Sequence, residues 1–251
     1  MLHEPGHVLL VGAGPGPADL LTLRALRAIE GAQALLYDAL VSDEVLALAP
    51  SGCLAIQTGK RAGRTSMDQA TINRLMLRLA KRGLKVVRLK GGDPSVFGRS
   101  GEEVEYLTAH GIEAAVVPGI TAASAAAAQF GFPLTHRGEA RRLMFATARV
   151  QDGAVVGEGW SADPEATLAL YMGKTALPAV AARLIAEGRS PSTPAIAIEN
   201  AGRADAQAFH GTLQSLPQRL AAEALTGPVV IIVGHVVVRG AQPASFTVAA
   251  A

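Results

Sequence analysis

The chain has 251 residues, 49% of them hydrophobic, 18% charged and 4% aromatic, with a formal net charge of +2. This composition excludes a disordered chain and leaves room for one large core or two ordinary ones. The single cysteine, Cys53, excludes a disulfide framework and a zinc–thiolate cluster, so no metal is expected and a reducing cytoplasm fits. The longest nearly apolar run, residues 228–238, is about half a membrane span, and the N-terminus has no basic leader, so no membrane partner is expected. A net charge this small does not point to nucleic acid.

The charge is unevenly placed. Residues 60–149 hold 15 Lys and Arg against 7 Asp and Glu; the remainder holds 8 against 14. Either two helix faces are basic and solvated, or one wall of a cleft is built for a polyanion.

Strand and helix patterns alternate along the chain. Strands are expected at 8–11, 34–37, 54–57, 86–89 and 114–117. Helices are expected at 19–30 with Asp19 as N-cap, at 68–82 closed by Gly83, at 102–109 closed by Gly111, and at 121–128. Residues 130–136 carry Gly and Pro without periodicity and read as a linker. Beyond them, strands are expected at 143–147, 168–172, 195–199, 207–211 and 229–233, and a helix at 177–187; the Ala-rich tail after Gln242 reads as frayed. The expected fold class is therefore α/β, with two α/β domains at residues 1–130 and 137–251. Ligands of such folds lie outside the carboxyl ends of strands, here in a cleft between the halves.

Four loops at strand ends carry the chemistry. Gly12-Ala-Gly-Pro-Gly16 imitates a dinucleotide fingerprint but fails it, because Pro17 stands where the third glycine belongs and Pro15 removes an N–H. It is either a tight turn or a loop for another ligand. Lys90-Gly-Gly-Asp-Pro94 lets backbone approach a ligand closely and holds Asp93 extended before Pro94. Pro118-Gly-Ile-Thr121 leads into a small-residue helix with Thr121 as its expected cap. Tyr171-Met-Gly173 ends a strand of the second half, where Met172 serves either packing or binding.

Taken in order with 36–42, 58–61, 133–137 and Tyr171-Met-Gly173, these motifs resemble the uroporphyrinogen-III C-methyltransferases of the class III, tetrapyrrole-type methylase family. The resemblance spans about residues 6–240. It implies S-adenosylmethionine-dependent C-methylation of uroporphyrinogen III at C2 and then C7, giving precorrin-2 through precorrin-1, with S-adenosylhomocysteine as co-product. It implies cofactor contacts from Pro15, Gly91, Gly92, Asp93, Val96, Thr121, Ala122, Met172 and Ala201. Acid–base roles fall to Asp38 and Lys60. Arg99 is either a base or a carboxylate clamp, and its high pKa favours the clamp. Glu102 also matches a tetrapyrrole-touching position, and Arg61, Arg64 and Arg137 are candidate binders of substrate carboxylates. A homodimer is a family expectation, and with no fused dehydrogenase–chelatase region ahead of the methylase a monofunctional form is expected.

The chain departs from the family at Ala39, Ser95, Ser100, Ala201 and Arg149, which leaves the shape of the substrate cleft open. Rival readings are a class III methylase with another acceptor, a nicotinamide dehydrogenase disfavoured by Pro17, and a binding module that does not turn over.

Overall fold

The computed structural model describes residues 6–59, 67–151, 154–156, 163 and 165–240. Lys60, Arg61, Arg64 and the tail after Gln242 lie outside these described residues. The chain divides into two compact units, Met1–Thr121 and Ala122–Ala251. The expected linker at 130–136 thus falls inside the second unit. Helix α5 (Ala122–Gln129) and Phe132 pack into that unit's apolar cluster with Ile196, Ile198 and Ile232.

The first unit is built on β1 (Val8–Gly12), β2 (Ala34–Tyr37), β3 (Leu54–Gln57), β4 (Val86–Lys90) and β5 (Ala114–Val117). They form one parallel sheet in the order β3-β2-β4-β1-β5. Side chains alternate across it as the pleat requires. Val8, Leu10, Ala34 and Leu36 face α3 (Gln69–Ala80) and α4 (Ser100–Ala109) through Ile72, Met76, Leu79 and Leu107. Val11, Leu35, Val87 and Leu89 face α1 (Leu23–Glu30) and α2 (Asp43–Leu46) through Ala25, Ile29 and Val45.

Local rules set the helix ends. Asp68 caps α3, accepting the Thr71 N–H at 2.6 Å, and the expected closing glycines Gly83 and Gly111 take positive φ after α3 and α4. The expected helix at 19–30 starts later. Residues Ala18–Leu20 form a separate 3-10 turn and Thr22, not Asp19, caps α1 by accepting the Ala25 N–H at 3.1 Å. Extended backbone at Leu21 and Thr22 breaks the helix that the apolar spacing suggests.

The second unit has a mixed sheet. Its strands are β6 (Arg142–Thr147), β9 (Ala166–Tyr171), β10 (Pro194–Glu199), β11 (Gln207–Thr212) and β12 (Val229–Val233), in the order β11-β10-β12-β9-β6. Only β6 and β9 pair in parallel. A separate ribbon, β7 (Arg149–Gln151) with β8 (Ala154–Val156), is antiparallel. One sheet face packs on α5. The other packs on α6 (Leu177–Ala186) and α7 (Leu216–Ala221) through Val180, Leu184, Leu216 and Leu220.

No helix among the described residues is long and apolar enough to cross a membrane.

Candidate active site

Because the first sheet is parallel, its strands deliver their carboxyl ends to one edge. The loops that follow β1, β2, β4 and β5 are laced together there by backbone and carboxylate contacts. Gly14 and Gly92 exchange both backbone hydrogen bonds, at 3.2 and 2.7 Å. Ala13 N–H donates to the Lys90 carbonyl at 2.8 Å. Ser42 Oγ, which also caps α2, donates to the Gly16 carbonyl at 2.5 Å.

Asp38 and Asp93 tie the outer loops to the central one. Asp38 Oδ1 accepts the Leu40 N–H at 2.9 Å and Oδ2 accepts the Gly91 N–H at 3.1 Å. Asp93 Oδ1 accepts the Ser95 N–H at 2.7 Å and Oδ2 accepts the Gly119 N–H at 2.9 Å. Each carboxylate oxygen keeps a second lone-pair site for another donor.

The glycines are demanded by this lacing. A Cβ on Gly119 would stand 2.3 Å from the Gly92 carbonyl oxygen, and one on Gly12 would stand 2.6 Å from Gly119 Cα. Gly92 differs. Its φ is +70°, yet a Cβ there would meet nothing closer than Thr121 Cα at 3.9 Å. Gly92 therefore leaves an open face beside Thr121 that any side chain would cover, whereas Gly91 packs on Leu40; the open face lets a ligand approach the backbone closely.

Past the turn, Pro94 is buried and Val96 half-buried, and Val96 N–H donates to the Asp93 carbonyl at 3.1 Å. Phe97 and Arg99 both take left-handed backbone, with φ of 55° and 56°. Such conformations cost on the order of 1–3 kcal/mol each and cluster at binding sites. They throw Phe97 out to 40% exposure and put Arg99 at the N-terminus of α4. An open depression of about 450 Å³ is lined there by Pro94, Phe97, Gly98, Arg99, Glu102 and Glu105. Arg99 grips Glu102 through two bonds, Nε to Oε1 at 2.9 Å and Nη2 to Oε2 at 2.6 Å. That pairing pushes the guanidinium pKa up and the Glu102 carboxyl down.

Beneath the loops lies a buried charge cluster that the sequence reading missed. Arg88 and Lys90 belong to the basic block, but each is 5% exposed. They are neither cleft wall nor solvated helix face. Glu103 of α4, 0% exposed, accepts from Lys90 Nζ at 2.7 Å, from Gln69 Nε2 at 3.0 Å and from Arg88 Nε at 3.4 Å. Two signals mark the cluster in the sequence. Glu103 lies four residues before the buried Leu107, on the inner helix face, and Arg88 and Lys90 share the strand face of Val86.

In the second unit, Ala122 opens α5, whose Ala123 N–H donates to the Tyr171 hydroxyl at 3.1 Å. Met172 follows β9 with φ of 54° and is 64% exposed, an apolar side chain displayed rather than packed. Ala201, 7% exposed, belongs to the cluster of Ile198 and Val237, and Arg137 is exposed. Among the described residues, no group of three or more His, Cys, Asp and Glu is arranged to hold a metal ion.

The family model for Tetrapyrrole (Corrin/Porphyrin) Methylases matches residues 7–217. A siroheme synthase of Methylococcus capsulatus is 48% identical over 234 residues, 92% of this chain and 49% of that protein. The chain thus spans about half the length of the curated relatives it matches. Among solved structures, a uroporphyrin-III C-methyl transferase from Thermus thermophilus complexed with S-adenyl homocysteine is 39% identical. It superposes with a TM-score of 0.79, covering 93% of this chain and 99% of that one. A cobalt precorrin-4 methyltransferase is 27% identical, with a TM-score of 0.80 over 92% of this chain and 95% of that one.

Proposed function

The chain belongs to the tetrapyrrole (corrin/porphyrin) methylases, and we propose that it methylates uroporphyrinogen III at C2 and C7 with S-adenosylmethionine, giving precorrin-2 through precorrin-1. The observation that carries this reading is the laced edge of the parallel sheet. The open face of Gly92 beside Thr121 fits close approach of a nucleoside-bearing ligand, and Asp38 and the Arg99–Glu102 pair stand on neighbouring loops of the same unit.

In this proposal Pro15, Gly91, Gly92, Asp93, Val96, Thr121, Ala122, Met172 and Ala201 contact S-adenosylmethionine. The bound sulfonium supplies a methyl group that needs no further activation. What the residues must add is alignment and a place for a proton. The new carbon–carbon bond forms as the sulfur–methyl bond breaks, and the proton displaced from the ring goes to Asp38. Two backbone N–H groups fix that carboxylate in orientation and leave lone pairs for the transfer. Arg99 acts as a clamp on substrate carboxylates and not as a base, because its bonds to Glu102 raise its pKa further. Lys60, Arg61, Arg64 and Arg137 are further proposed partners of the eight carboxylates, with Lys60 as donor or binder. A homodimer in the cytoplasm belongs to the same proposal.

Anaerobic incubation with uroporphyrinogen III and S-adenosylmethionine, read by mass, tests it. Gain of two methyl groups is expected. An unchanged tetrapyrrole mass, with S-adenosylmethionine bound but unconsumed, would overturn it in favour of a binding module.

A further inference from the structure

The Arg88–Lys90–Glu103 cluster is absorbed by none of the roles above. It is also an expensive thing to bury. Taking charges out of water costs several kcal/mol per ion, and a packed apolar core of the same shape is often as stable. The neighbouring positions on this sheet face, Leu10 and Leu36, are apolar, so the fold itself does not call for ions here.

The position is informative. Lys90 is the last residue of β4, and the next backbone N–H, of Gly91, is the one that Asp38 Oδ2 accepts. Asp38 and Lys90 also follow the paired residues Tyr37 and Leu89 of the adjacent strands β2 and β4, and the Asp38 charge favours the charged form of Lys90, more weakly than Glu103 does. A line of alternating charge thus runs from Glu103 in the core, through Lys90, to Asp38 at the loop edge.

We propose that Glu103 and Lys90 are positioning residues for Asp38: Glu103 balances the buried cations of β4 and thereby sets the net charge that the Asp38 carboxylate meets. The proposal rests on the reading of Asp38 as proton acceptor. The charged groups acting on the cluster are Arg88 and Lys90 from β4, Glu102 and Glu103 from α4, Arg99 at the head of α4, and Asp38; α3 contributes the neutral Gln69 and Asn73. Burial and Arg88 press the Lys90 pKa down, and Glu103 and Asp38 press it back up.

The test is the pH profile of kcat under anaerobic, saturating conditions, with thermal melting run alongside. Glu103→Gln leaves the cations unbalanced, which favours the Asp38 carboxylate. The acid limb of the profile moves to lower pH by about one unit. Lys90→Met does the reverse and moves it to higher pH. The double variant, Glu103→Gln with Lys90→Met, restores the net charge and returns the limb towards its original place.

A purely structural cluster would lower the melting temperature in every variant without moving the limb, and that result overturns the proposal. If Glu103→Gln does not fold, Lys90→Met and the double variant still decide it. Asp38→Asn separates the two readings. A limb that survives in Asp38→Asn overturns the proton-acceptor reading and this proposal with it. A limb lost in Asp38→Asn but unmoved by the cluster variants overturns this proposal alone.

Discussion

Asp38 and Gly91 lie 53 residues apart and meet at 3.1 Å, carboxylate to backbone N–H, joining the loop after β2 to the loop after β4. The contact fixes the carboxylate and shapes the glycine turn at the same time. It makes separate predictions for chemistry and for binding.

Asp38→Asn keeps one accepting oxygen for the Leu40 N–H, gives up the acceptor of the Gly91 N–H and abolishes the basic site. Turnover should fall by two orders of magnitude or more, in the range that loss of a general base produces. Affinity for S-adenosylmethionine should change by less than about tenfold. Steady-state kinetics beside calorimetry reads both, and undiminished turnover would remove Asp38 from the mechanism.

Met172 displays an apolar side chain from a left-handed backbone position. On the proposed cofactor role, Met172→Arg should abolish S-adenosylmethionine binding in calorimetry, because the variant brings a cation to a ligand of like charge. The exposed position predicts an almost unchanged melting temperature. Normal binding would contradict a cofactor role for this loop.

Gly119→Ala places a methyl 2.3 Å from the Gly92 carbonyl oxygen, where both neighbours are backbone. The loops must part, breaking the Asp93 contact at 2.9 Å. A loss of about 1–3 kcal/mol is expected from such overpacking. Urea unfolding measures it, and S-adenosylmethionine affinity should fall in step. Gly111→Ala, with nothing within 4 Å but φ of +74°, is the control for conformational strain alone.

One helix cap and two ion pairs make stability depend on acid. Hydrogen bonds from Thr71 hold the Asp68 carboxyl below its ordinary value, and Arg99 and Arg239 do the same for Glu102 and Glu139. A carboxyl whose pKa is lower in the folded state contributes fully above the ordinary carboxylate range. The contribution is lost as pH falls through that range and below it. The urea midpoint should therefore drop between about pH 5 and pH 2. Asp68→Asn keeps a good cap without the titration and should flatten part of that slope; an identical slope would remove Asp68 from the acid sensitivity.

Much of this molecule is legible locally. The runs that become β1 and β2 are short, apolar and almost wholly buried, so their burial leaves little choice of structure. The loop glycines and Asp93-Pro94 announce where the strands end. What local pattern cannot carry is partnership. The spacing 19–30 suggests one helix, but extended backbone before Thr22 divides it. The short helices α2 and α7 and the ribbon of β7 and β8 have too few residues for a periodic signal.

The charge imbalance divides along the same line. The sequence alone determined that cations crowd residues 60–149, since that is a count. Only the tertiary structure decided that Arg88 and Lys90 are withdrawn from solvent. Their burial depends on Glu103, 13 to 15 residues away on another element, arriving within 2.7 and 3.4 Å. An unpaired ion cannot be buried at such a strand, and pairing is a property of packed elements that no single segment encodes.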